Sequence, residues 1–239
     1  MKAIYRAISV LGMGACLCVS SQSLAAPVTL MGDDLIFTYD DATQFGTANV
    51  IGNSIFFLPT NFIAQSINGN NGSNTVVFSD YVDVEIQIKP GSTFLIDGFH
   101  LFESGDYKLV GAGTSANAEA ALTVDSQTQT CGGATLCSMT NTFSSGALTN
   151  QSGNLETWYI HGSLDLDNNV NWADDFHVML RIENTLYATS TDTGESALME
   201  KKFGTIGVEV MADVPVPPAA WLFGSALVCL LNKKYLKAA

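Results

Sequence analysis

Along most of the chain, apolar and polar residues alternate with a period of two. Val84, Ile86 and Ile88 alternate with Glu85 and Gln87, which sets one face of a strand on a core and the other in water. Trp158, Ile160, Gly162, Leu164 and Leu166 alternate with Tyr159, His161, Ser163 and Asp165. Phe176, Val178, Leu180 and Ile182 alternate with His177, Met179, Arg181 and Glu183. Shorter strands are expected at Leu35 to Tyr39, Ser54 to Leu58, Asn61 to Ser66, Thr93 to Phe99, Tyr107 to Gly111, Glu119 to Asp125 and Thr205 to Met211. Turn clusters such as Asn68-Gly69-Asn70-Asn71-Gly72 and Pro90-Gly91-Ser92 separate them, because Asn and Gly reach backbone angles other residues resist. Many short strands and no amphipathic helix of useful length predict an all-β, antiparallel β-sandwich, jelly-roll-like in type.

Both ends break this pattern. Lys2 and Arg6 precede an apolar run from Ala7 to Val19 and a small, polar stretch from Ser20 to Ala26, the layout of a secretory signal peptide. Ser23 and Ala25 supply the small residues at −3 and −1, so cleavage is expected between Ala25 and Ala26. Gly14-Ala15-Cys16 offers a rival lipoprotein signal, but Met13 stands where Leu is preferred and the apolar run continues past Cys16. At the other end Pro215-Val216-Pro217-Pro218 precedes the apolar run Ala219 to Leu231, then Lys233, Lys234 and Lys237. Those 13 apolar residues make a helix of roughly 20 Å against a hydrocarbon core of about 30 Å, a marginal permanent anchor. The lysines behind it would stay cytoplasmic, leaving the chain between the two ends translocated. The chain divides into a signal peptide (1–25), an exported domain (26–213) and a tail with a single hydrophobic helix (214–239).

The string VPVPPAAWLFGSALVCLL followed by NKK resembles the PEP-CTERM sorting signal in its VPLPA-type variant. Val214, Pro215, Pro217, Pro218, Trp221, Lys233 and Lys234 carry the match, and Pro218 and Cys229 depart from the commonest pattern. Ser196 to Phe203 also resembles segments that precede such tails. The resemblance covers about a tenth of the chain and implies a Gram-negative envelope protein. It further implies an exosortase as processing partner, a transient stay in the inner membrane before release to the outer surface or medium, and an association with exopolysaccharide.

Composition sharpens the picture of the exported part. The chain has 10 Lys+Arg against 23 Asp+Glu, a formal charge of −13, with only 14% charged residues. Five of the cations lie in the two ends and none of the acids does, which leaves the domain at −18. Such a balance disfavours nucleic acid, and none is expected as a partner, since phosphate backbones are held by Lys and Arg clusters. Of five cysteines, Cys16, Cys18 and Cys229 fall in the ends, so Cys131 and Cys137 are expected to form a disulfide in an oxidising compartment. The small loop makes it worth about 2 kcal/mol.

Candidate chemistry is sparse. Asp165, Asp167, Asn169, Asn171 and Asp174 form the densest set of oxygen ligands, a calcium candidate. Against the EF-hand pattern, Val170 replaces the required glycine and Phe176 the final glutamate, and Asp/Asn-rich hairpin loops arise for turn reasons alone. No other cofactor is indicated. His100, His161 and His177 have no metal-ligand spacing, no GxSxG is present, and no carboxylate pair can be singled out among 23 acids. Trp172, in the Asp/Asn-rich loop, is the candidate glycan contact, whereas Trp158 shares a face with Ile160 and Leu164 and is expected in the core. The expectation is a non-enzymatic cell-surface or matrix structural protein, with a carbohydrate-binding module as the alternative and a polysaccharide-active enzyme third.

Overall fold

The computed structural model describes residues 27–41, 43–69, 74–131, 133, 135–166 and 175–212, with side chains as far as residue 207. Among the described residues twelve strands run in order: β1 (Pro27–Met31), β2 (Leu35–Asp40), β3 (Ala48–Ile51), β4 (Ser54–Phe57), β5 (Ile63–Ile67), β6 (Thr75–Ile88), β7 (Phe94–Val110), β8 (Ser115–Cys131), β9 (Thr135–Ser144), β10 (Glu156–Asp165), β11 (His177–Thr189) and β12 (Ser196–Ala212). One sheet has the order β1-β2-β6-β11-β8-β9. The second runs β10-β7-β12-β4-β3, and β5 shares the β4 edge of β12. Every pairing is antiparallel. From β6 to β8 the chain changes sheet at each strand, as it does again from β9 to β12.

The period-two pattern decides which side chains meet between the sheets. Val82, Val84 and Ile86 of β6 and Val178, Leu180, Ile182 and Leu186 of β11 point inward against Phe99 and Leu101 of β7, Trp158, Ile160 and Leu164 of β10 and Met199 of β12. Each such large side chain contributes about 1.5–3 kcal/mol when fully buried. Trp158 is core, as its parity predicts, and its indole Nε1 donates to the Glu200 carbonyl at 3.1 Å. Gly105, opposite Lys201, is required there because a Cβ would lie 1.9 Å from the Glu200 oxygen.

Several strands differ from the sequence expectation. Thr93 to Phe99 and Tyr107 to Gly111 are two ends of the single strand β7. The inward positions between them hold Glu103 and Gly105, which break the apolar rhythm without breaking the strand. Likewise β8 extends far beyond Glu119 to Asp125, because its inward residues Ala116, Ala118 and Ala120 give little hydropathy contrast. Phe176, expected inside with Val178, is 53% exposed; the buried Asp175 takes the inward place, one residue out of step with the strand that follows. β1, β3 and β9 had no strand expectation, and β9 offers mainly Thr, Ser and Asn.

Cys131 and Cys137 are bonded across the β8–β9 hairpin end, with Cα atoms 4.9 Å apart. Among the described residues no helix is long and apolar enough to cross a membrane. The signal peptide and cleavage site, and the tail with Val214, Pro215, Pro217, Pro218, Trp221, Lys233 and Lys234, lie outside the described residues.

Candidate functional site

The outward face of the second sheet carries rows of side chains dictated by register. Ser54, Gly207, His100 and Ser163 are successive partners across β4, β12, β7 and β10. Phe56, Thr205, Phe102 and His161 form the next row, and Phe203, Ser104 and Tyr159 the one beyond. Outward rings therefore gather in adjacent rows, since same-face neighbours on paired strands lie within reach of each other. Ring centroids are 6.1 Å apart for Phe56 and Phe203, 6.0 Å for Phe203 and Phe102, and 6.1 Å for Phe102 and Tyr159. His161 approaches Phe102 to 4.7 Å. Tyr159 is 54% exposed, His161 is exposed, and the three phenylalanines are half-buried.

Next to this aromatic band lies an open trough of about 540 Å³ lined by Ser54, His100, Phe102, His161, Ser163 and Thr205. Gly207 helps to open it: a Cβ there would meet Ser54 Oγ at 3.5 Å, His100 Cβ at 3.7 Å and the His100 carbonyl oxygen at 3.9 Å. On the opposite side, Lys202 reaches Asp106 at 2.9 Å and Glu200 at 3.4 Å. The hydrogen bond to Asp106, with the neighbouring carboxylates, raises its pKa above the ordinary lysine value. The face thus combines apolar ring surface with hydroxyl and imidazole groups beside it. It can stack a flat, partly apolar ligand and hydrogen-bond that ligand's edge.

The outer face of the first sheet has a different character. His177 Nε2 lies 2.7 Å from Glu85, Arg181 makes two hydrogen bonds of 2.7 and 2.9 Å to Asp83 and covers Tyr81 at 4.4 Å, and Glu119 and Glu183 line a second trough. The two basic groups there, His177 and Arg181, are each engaged by a carboxylate, Glu85 and Asp83.

A third cluster is enclosed between the sheets. Lys201 of β12, Glu103 of β7 and Asn184 of β11 are all buried at inward positions. Lys201 Nζ donates to Glu103 Oε1 at 2.7 Å, Asn184 Nδ2 donates to Glu103 Oε2 at 2.7 Å, and Lys201 Nζ also contacts Asn184 Oδ1. The Phe45 and Phe62 rings flank Nζ at 4.4 and 5.6 Å. Burial pushes the Lys201 ammonium below the ordinary lysine pKa, against the opposing pull of Glu103. Lys201 is inward in step with Ala197 and Met199, and the bulge between Lys201 and Phe203 shifts the parity so that Phe203 faces outward, placing the buried cluster and the aromatic face side by side on one strand. No motif announces this triad. The signal was parity: Glu103, Asn184 and Lys201 each fall in step with buried apolar residues of their own strand.

Of the calcium candidates, Asp165 is exposed at the end of β10, while Asp167, Asn169, Asn171 and Asp174 lie outside the described residues, as does Trp172. The adjoining Asp175 is buried; it accepts from Ser126 Oγ, from Thr128 Oγ1 at 2.7 Å and from the His177 amide at 3.0 Å. That carboxylate anchors the start of β11. Among the described residues no group of three or more His, Cys, Asp or Glu is arranged to hold a metal. His100 and His161 come together on the aromatic face, and His177 sits on the opposite one.

No family model matches the chain, and no curated protein matches it. Among solved structures, a carbohydrate-binding module in complex with β-1,4-galactotriose shares 12% identity at a TM-score of 0.20, covering 64% of this chain and 86% of that one. A structure of the promiscuous carbohydrate-binding modules of the β-sandwich superfamily shares 10% identity at 0.19, covering 78% and 75%. Infectious bursal disease virus follows at 9% identity and 0.13, covering 89% and 54%. These scores are too low to bear on ligand or site.

Proposed function

We propose that this protein is an exported polysaccharide-binding module of the cell surface or matrix, and that the face bearing Phe56, Phe203, Phe102, Tyr159 and His161 holds the glycan. The observation that carries the reading is the aromatic band beside the hydroxyl-lined trough. A sugar ring offers an apolar face for stacking and hydroxyl edges for Ser54, Ser163 and Thr205. With the exported domain at −18, the glycan is an uncharged one, since an anionic chain would be repelled. This gives the carbohydrate-binding role precedence over a purely structural matrix role, with the contact read on the second sheet, while Trp172 lies outside the described residues. We read the central strands β5-β12-β7-β10 over β6-β11-β8-β9 as a jelly roll, whose outer sheet faces offer such a surface.

The test is affinity electrophoresis in gels containing neutral polysaccharides, including the exopolysaccharide of the native host. The wild-type protein should be retarded by at least one, and a Phe102→Ala/Tyr159→Ala variant should not. Wild-type mobility unchanged across the whole panel would reject the reading. The resemblance at Val214 to Lys234 supports export and exosortase processing as the setting. There, Pro215→Ala/Pro217→Ala should leave an uncut precursor, and normal maturation of that variant would remove the exosortase from the account.

A further inference from the structure

We propose that Lys201 and Asn184 become joined by an intramolecular amide bond, formed within the folded domain with Glu103 as the catalytic acid and base. Three observations carry it. The amine and the carboxamide are in contact, both of their nitrogens face the same carboxylate at 2.7 Å, and all three groups are buried between the two sheets. Such an arrangement makes an ordinarily very slow aminolysis of an amide intramolecular, where orientation and proximity supply much of the barrier.

The protons can be followed through the triad. Glu103 Oε1 accepts a proton from the Lys201 ammonium along their hydrogen bond, converting an ion pair into a neutral amine and a carboxylic acid. A dry site favours that exchange, because it removes two buried charges at once, and burial acts on Lys201 in the same direction. The neutral amine is the nucleophile. It attacks Asn184 Cγ, forming a C–N bond and a tetrahedral centre. Glu103 then delivers a proton to Asn184 Nδ2, whose bond to Cγ breaks, and receives one from the attacking nitrogen. Lysine ammonium, carboxylate and carboxamide thus give a secondary amide, ammonia and a carboxylic acid; if the ammonia departs as ammonium, the carboxylate is restored. No oxidant, metal or other co-reactant enters.

The surroundings fit this chemistry. Phe45 and Phe62 shield Nζ from water, which would otherwise compete as nucleophile and hydrolyse the carboxamide to a carboxylate. Gly204 leaves room beside the lysine, where a Cβ would lie 3.1 Å from Cε and Nζ. The bond would tie β11 of one sheet to β12 of the other, a connection the Cys131–Cys137 hairpin bridge does not make.

The experiment is a peptide map of the full protein, purified folded, then reduced, denatured, digested and read by tandem mass spectrometry. The expected product is a branched peptide joining the segments around Asn184 and Lys201, lighter than the two separate peptides by one ammonia. The Glu103→Gln variant should yield the two peptides unjoined. Separate peptides from the wild-type chain, with Lys201 free and residue 184 either intact or deamidated, would overturn the proposal; a joined peptide from Glu103→Gln would overturn the role of Glu103. The wild-type map decides the bond even if the variant fails to fold.

Discussion

Gly162 lies on β10 where the edge of one sheet meets the other, and its replacement by alanine gives a quantitative test of how closely the sheets approach. A Cβ at that position would sit 2.3 Å from Cδ1 and Cε1 of Phe143 and 2.6 Å from its Cγ. Carbon atoms prefer about 3.5–4.0 Å, so the ring or the strand must retreat by more than about 1 Å. Overpacking of this kind costs about 1–3 kcal/mol. For a domain of this size each kcal/mol lowers the melting temperature by roughly 2–4 °C, so Gly162→Ala should melt about 2–12 °C below wild type. Phe143 is half-buried, so Phe143→Ala should cost less than the roughly 3–5 kcal/mol typical of a fully buried ring. In the double variant the new methyl occupies space the ring has left, and the cost should fall below the sum of the singles by about 1–3 kcal/mol. Differential scanning fluorimetry and urea unfolding measure all four proteins of the cycle. Wild-type stability for Gly162→Ala, or costs additive within about 0.5 kcal/mol, would refute the close packing of β9 on β10. Tyr159 and His161 project from the same strand, so glycan retention should weaken in Gly162→Ala and recover in the double variant.

Tyr159→Ala tests the face directly. Covering about 60 Å² of the exposed ring at ~25 cal/mol per Å² is worth roughly 1.5 kcal/mol, so titration calorimetry should show Kd about tenfold weaker; an unchanged Kd would remove Tyr159 from the site. Glu195 accepts backbone N–H groups of Gly113, Thr191 and Asp192 at 2.6, 3.0 and 3.0 Å; these bonds, that from Gly113 foremost, hold its pKa below the ordinary carboxylate value. Its stabilising contribution is present above the unfolded-state pKa and lost as pH falls through the lower folded value. Glu195→Gln should therefore melt lower than wild type at pH 7, with the gap closing in acid; parallel melting curves from pH 7 to pH 2 would contradict this. If the Asp165 to Asp174 segment holds calcium, a chelator should lower the melting temperature, and identical melts in calcium and chelator would exclude the site.

The fold class was legible because alternation survives wherever inward positions are large and apolar, as in Val84 to Ile88 and Trp158 to Leu164. It failed where inward positions are small or polar: Ala116, Ala118 and Ala120 hid most of β8, and Glu103 and Gly105 cut β7 in two. The candidate site was less legible. Tyr159 and His161 could be placed on a polar face from sequence, but their meeting with Phe102 and Phe203 depends on the neighbours β7 and β12, separated from them by tens of residues. The buried triad was hidden for the same reason, since three strands from two sheets contribute one residue each.

β12 is hydrogen-bonded to β7 along nearly its whole length on one edge and to β5 and then β4 on the other. It is also the strand from which the chain continues toward residue 214. Tension applied through that end would run along the strand, at right angles to the hydrogen bonds flanking it. Those bonds are then loaded in shear and must fail together, on both edges of β12, where an outer strand such as β1 or β3 is bonded on one edge alone. A domain tethered by its C-terminal side would resist pulling first through a strand paired on both of its edges.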